Sequence, residues 1–135
     1  MKKLCALVVA FIVLTLAACS SSNRDESLVG IYGVQKNGKM VPVIKVDKTD
    51  AGYAFSDNKD GQWRVGTETA QPMTKENFEK LMGEKIDGAF IGIKTKGTLV
   101  AKVPEGFSKG KFKTSTGYMM VFLFGPVELT KLSDS

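Results

Sequence analysis

The chain has 135 residues, 43% of them hydrophobic and 24% charged, with a net charge of +5. That is material for one compact domain and too little for two ordinary ones. It contains no histidine, and its two cysteines, Cys5 and Cys19, both fall in the first twenty residues, which excludes a Ser-His-Asp or Cys-His catalytic group, a Cys/His zinc site and a disulfide-stapled fold in the body of the protein.

Met1-Lys2-Lys3 is a short positive start, and residues 4–18 follow with Thr15 as their only polar member. A bilayer span needs about 20 apolar residues, so this run fits the apolar region of a secretory signal better than a transmembrane helix. It ends Leu16-Ala17-Ala18-Cys19, followed by three serines. At these residues the chain resembles the bacterial lipoproteins: Leu-Ala-Ala-Cys matches their lipobox in full. The resemblance covers only about the first 22 residues and is silent on the rest. It implies a diacylglyceryl group on the Cys19 thiol, cleavage between Ala18 and Cys19, and acylation (palmitate or a similar chain) of the new amino group. Two or three such chains anchor a protein stably to a bilayer without spanning it. Ser20 stands where that family places aspartate for inner-membrane retention, which implies the outer membrane, with the domain facing the periplasm. Cleavage would remove Cys5, Lys2 and Lys3 and lower the net charge from +5 to +3, too modest an excess for a nucleic-acid footprint.

Residues 20–27 contain no apolar side chain and read as a solvated tether with an extended reach of about 26 Å. From residue 28 the pattern is short apolar runs punctuated by glycine. Strands are expected over 28–34 and 40–46, turned by Asn37-Gly38, since Asn-Gly supplies the positive φ of a tight hairpin. Pro42 within the second strand predicts an edge position or a bulge. A short strand over 53–55 follows, then 62–68, where alternation places Trp63, Val65 and Thr67 on one face. Thr74 is an N-cap, Met73 can staple onto Phe78, and Phe78, Leu81 and Met82 form one helical face ending at Gly83. Strands resume over 89–95 and 98–103, around Lys96-Gly97, and over 111–113, turning near residues 115–117. The seven apolar residues 118–124 predict a strand covered on both faces at the centre of the core, and 127–132 a last short strand. The fold class is therefore mainly β: a small antiparallel barrel or curled sheet of about seven to nine strands with one short helix packed on it, in a single domain over 28–135.

Candidate chemistry is sparse. Ser56, Asn58 and Asp60 fall at oxygen-ligand spacing before Gly61, but Thr67 stands where an EF-hand needs its bidentate carboxylate, so a hairpin turn is expected and no metal or cofactor. The pairs Asp47/Asp50 and Asp57/Asp60 read as turn residues, and no nucleophile elbow or phosphate loop occurs. The lysines carry more. Lys94 and Lys96 share one strand face by the period of two, and Lys109, Lys111 and Lys113 another; Phe112 lies among them. Such a patch suits solvation and edge protection, or an acidic partner or anionic headgroups. The expected function is a lipid-anchored, non-catalytic β-domain that binds a periplasmic protein, as an immunity or inhibitor protein or an accessory subunit does. The alternative is a carrier of a small molecule or lipid, with Trp63, Tyr53 and Phe55 lining a barrel cavity.

Overall fold

The computed structural model describes residues 28–134; Ala18, Cys19, the leader and the tether lie outside the described residues. The elements are β1 (Gly30–Lys36), β2 (Lys39–Thr49), β3 (Gly52–Lys59), β4 (Gln62–Met73), α1 (Lys75–Met82), β5 (Ile91–Lys94), β6 (Leu99–Lys102), β7 (Ser108–Lys109), β8 (Phe112–Lys113), β9 (Tyr118–Phe122) and β10 (Gly125–Ser133). Eight strands close on themselves in the order β1-β10-β9-β6-β5-β4-β3-β2, an antiparallel barrel; β7 and β8 form a separate hairpin. The expected barrel with one helix is what forms.

Each neighbouring pair in the barrel is antiparallel, so the β1–β2, β3–β4, β5–β6 and β9–β10 turns gather at one end. We call this the tip end. The opposite end receives the start of β1, the β2–β3 turn, both long connections and the end of β10.

Two apolar layers form because β5, β6 and β9 are covered on both faces. Inside the barrel Tyr32, Ile44, Val46, Tyr53, Phe55, Ala70, Ile93, Val100 and Leu129 pack with Leu28. Outside it, Phe78 and Met82 of α1 and Ile86 pack on Leu99, Ala101 and Met119. In β6, Val100 thus faces inward while Leu99 and Ala101 face the helix, the period of two read from both sides. The helix is bounded as expected. The Thr74 side chain accepts from the Asn77 amide, and Gly83 at φ 71 closes the last turn with its N–H on the Glu79 carbonyl, a left-handed cap that glycine adopts without strain. At eight residues it owes its stability to this docking rather than to propensity.

The Pro42 expectation holds: a bulge falls beside it, between the pairs Tyr32↔Ile44 and Gly33↔Pro42, and β3 pairs with β2 only from Ile44 onward. Other expectations are corrected. The alternation over 62–68 does not mark a buried face. Between Ala54↔Thr69 and Ser56↔Val65 the register of β4 slips, and Val65 is left 70% exposed. Leu81, expected on the helix's buried face, is 58% exposed, because α1 meets the barrel through Phe78 and Met82 alone. Lys109 and Lys111 do not share a strand: the chain reverses between β7 and β8, with Gly110 at φ 58. The apolar run over 118–124 is longer than the wall can use. β9 ends at Phe122, which pairs with Gly125, so Leu123 and Phe124 become the turn and stand 90% and 87% exposed.

Candidate functional site

The tip end is built from four turns of unlike composition. Asn37 and Gly38 (φ 52 and 76), and Asp60 and Gly61 (φ 53 and 82), take positive φ at both central positions, the backbone a two-residue hairpin needs and the reason those residue types stand there. Asn58 adds an acceptor to the Gly61 amide at 3.1 Å, which assigns the acidic loop to turn formation. The β5–β6 turn is fastened by the Thr95 amide on the Thr98 carbonyl at 2.9 Å and by the Lys96 amide on the Glu68 carboxylate at 3.0 Å. The fourth turn differs. Asn37 and Asp60 are the positive-φ non-glycines among the described residues, and in the β9–β10 turn the burden falls on Gly125 at φ 106. Leu123 and Phe124 are thereby free of that demand, and bulky apolar side chains occupy positions that in the β1–β2 and β3–β4 turns are Asn-Gly and Asp-Gly. The Phe124 ring is held edge-on to Phe122, centroids 5.9 Å apart.

Lys94 closes β5 and Lys96 lies in the turn beyond it, both exposed at the tip end. Lys36, Lys39 and Lys59 flank the other turns and are exposed as well. The second set of expected lysines lies elsewhere. Lys109, Lys111 and Lys113 belong to the β7–β8 hairpin on the outer wall. Lys109 is committed there, its Nζ donating to the Met82 carbonyl at the C-terminus of α1, where a cation also meets the negative end of the helix dipole. Phe112 is half-buried against the outer apolar layer, and its neighbour Phe107 reaches the Phe78 ring at 5.9 Å between centroids. Phe112 is thus a packing residue, not a free anchor.

Two concavities adjoin these features. A cleft of about 340 Å³ opens at the mouth of the barrel, floored by Ile44 and Phe55 and edged by Asp57, Thr67 and Glu68; the slipped register of β4 opens it. An outer groove of about 490 Å³ runs between α1, the β7–β8 turn and the β9–β10 hairpin, lined by Leu81, Met82, Lys109, Val121 and Pro126, with Glu84 at its edge. The barrel interior is occupied by its own side chains. Tyr53 is buried in it, the Tyr32 and Tyr118 rings stand 5.4 Å apart, and only Phe55 of the three expected cavity aromatics lines a cleft. Trp63 is half-buried on the β3–β4 hairpin.

The pKa values of Tyr32 and Glu128 are displaced, both for structural reasons. Burial, with Tyr118 and Asp134 nearby, pushes the Tyr32 phenol above its ordinary value. Partial burial works to raise the Glu128 carboxyl, but the amides of Thr116 and Ser115 and the Thr114 and Ser115 hydroxyls outweigh it and hold it below the usual carboxylate range. The described residues contain no cluster of three or more metal-ligating side chains and no helix long and apolar enough to cross a membrane.

What sequence reasoning missed is the pair Leu81 and Leu123–Phe124. The run over 118–124 carried a signal, since Gly125-Pro126 after it could have been read as the second half of a tight hairpin instead of a break. No family model matches the chain, and neither a curated protein nor a solved structure does.

Proposed function

We propose that this is a lipid-anchored envelope protein, held to the outer membrane through Cys19, whose barrel is a non-catalytic module that captures a periplasmic protein in the outer groove. One observation carries the choice of surface: Leu81, a helix residue spaced to be buried, stands 58% exposed over a groove floored by Met82, Val121 and Pro126. An apolar concavity with charged residues at its rim, here Lys109 and Glu84, is the anatomy of a protein-binding patch. A non-catalytic role is supported by the use of the charged groups. Lys109, Glu68 and Glu128 are spent on capping and turn formation. The filled interior favours the partner reading over a carrier.

The test is site-specific photocrosslinking in intact envelopes. A crosslinker at residue 81 is expected to give one discrete protein adduct that disappears when Lys109 is changed to Glu, while a crosslinker at residue 51, in the β2–β3 turn, gives none. Cys19→Ala is expected to abolish acyl labelling and release the protein from the membrane fraction. Absence of a specific adduct at 81 sinks the groove, and retained acylation of Cys19→Ala sinks the anchor.

A further inference from the structure

We infer that the tip end is a bilayer-contact surface, with Leu123 and Phe124 entering the apolar boundary of an anionic leaflet and Lys36, Lys39, Lys59 and Lys96 meeting its phosphates. This surface is distinct in role from the groove and goes beyond partner capture. The anchored reading supplies a leaflet in the cell, but the contact itself does not depend on it.

The argument starts from placement. Antiparallel pairing around a closed barrel brings four turns to one end, so residues far apart in sequence share one surface. Three of those turns and their strand ends hold five exposed lysines (Lys36, Lys39, Lys59, Lys94 and Lys96) and Arg64 against Asp57, Asp60 and Glu68; the fourth turn holds the two most exposed large apolar side chains described. Leu and Phe together on a turn whose φ demand is met by Gly125 are not needed by the fold. Solvent exposure of both disfavours the isolated domain, and a lipid interface removes that cost. The surrounding charge selects the occupant: lysines near an anionic leaflet each add to binding, and their long stems let the ammonium groups stay at headgroup level while the apolar tip goes deeper. A single Leu-Phe pair binds a neutral membrane weakly, so the two signals are required together.

The geometry of the tether permits this pose. The nine residues of β10, at about 3.3 Å each and tilted about 40°, make a wall roughly 23 Å high. β1 starts at the end away from the tips, and residues 20–27 reach about 26 Å when extended. A chain fixed at residue 19 can therefore lay the tip end on the same leaflet that holds its anchor.

The test uses the mature chain from residue 19 with Cys19→Ser, which retains the whole described barrel and has no other cysteine. A single cysteine at position 124 carries an environment-sensitive dye, with dye at 51 and at 81 as controls. Vesicles are phosphatidylethanolamine/phosphatidylcholine with or without 30% phosphatidylglycerol. With the anionic vesicles the dye at 124 is expected to brighten and shift to the blue, and the dyes at 51 and 81 to stay unchanged. Replacing both Leu123 and Phe124 by Ser should weaken partition of the otherwise unlabelled chain by roughly a hundredfold. Each of Lys36→Ala and Lys96→Ala should weaken it about fivefold, and added salt should mimic them. No partition onto anionic vesicles, an equal response at 51 or 81, or partition indifferent to Leu123 and Phe124 would overturn the inference. So would a tip that crosslinks to a protein in envelopes without responding to lipid. None of these outcomes touches adduct formation at residue 81, so the two proposals fail separately.

Discussion

The Tyr32 hydroxyl donates to the Leu28 carbonyl, 2.7 Å away, with both residues fully buried. One phenol thus fastens the segment entering the barrel to the first strand. Tyr32→Phe removes the donor and leaves a buried carbonyl without it. The expected loss is about 1–2 kcal/mol, read as a lower urea midpoint with an unchanged slope. The phenol's raised pKa adds a pH signature. The protonated phenol is favoured in the fold, so its contribution is complete below the unfolded tyrosine pKa near 10 and falls as pH rises above it. Wild type should lose stability across that alkaline range more steeply than Tyr32→Phe. Parallel slopes would show that Tyr32 is not the group responsible.

Glu128 gives the opposite limb. Its carboxylate receives the amides of Ser115 and Thr116 and so ties the turn before β9 to β10. Because its folded pKa is lowered, the contribution is present above the unfolded value near 4.3 and is lost as pH falls through the folded one. Glu128→Gln should flatten the acid side of the stability profile, with the difference from wild type vanishing at the lowest pH. A constant offset at all pH values would refute the assignment.

Gly125→Ala should destabilise by about 1–2 kcal/mol, although a Cβ there meets no atom within 4 Å. The cost is the backbone at φ 106, which L side chains adopt with strain. Thermal melts check this, and a neutral substitution would mean the turn relaxes.

Phe78→Ala should cost about 3–5 kcal/mol. The ring is fully buried and lies 4.7 Å from that of Phe90 between centroids, so its loss opens a cavity between helix and barrel. Amide exchange should quicken in α1 more than in β1–β3. Uniform acceleration would mean that the helix and barrel open as one unit.

Local signals were legible and long-range ones were not. Thr74 and Gly83 bound the helix as their chemistry dictates, and Asn37-Gly38 turns the first hairpin, because each acts within a few residues. Closure of the barrel depends on β10 pairing with β1, which no local pattern encodes. The β4 slip depends on pairing with β3, so an alternation that looked half-buried over 62–68 marks an exposed strand. Leu81 and Leu123–Phe124 stand exposed for one reason. Apolar spacing reports what could be buried, whereas burial also needs a facing surface, and the barrel supplies none at either point. The period of two along a strand groups lysines locally, but only the topology separates Lys94 and Lys96 from Lys109, Lys111 and Lys113.

The pairing of β10 with β1 also sets an order of events. β10 is the last strand in the chain, so a chain emerging from a ribosome stays unclosed until residues near 133 have arrived. The step that completes the fold is the one joining its most distant segments, which makes it slow relative to the formation of single hairpins.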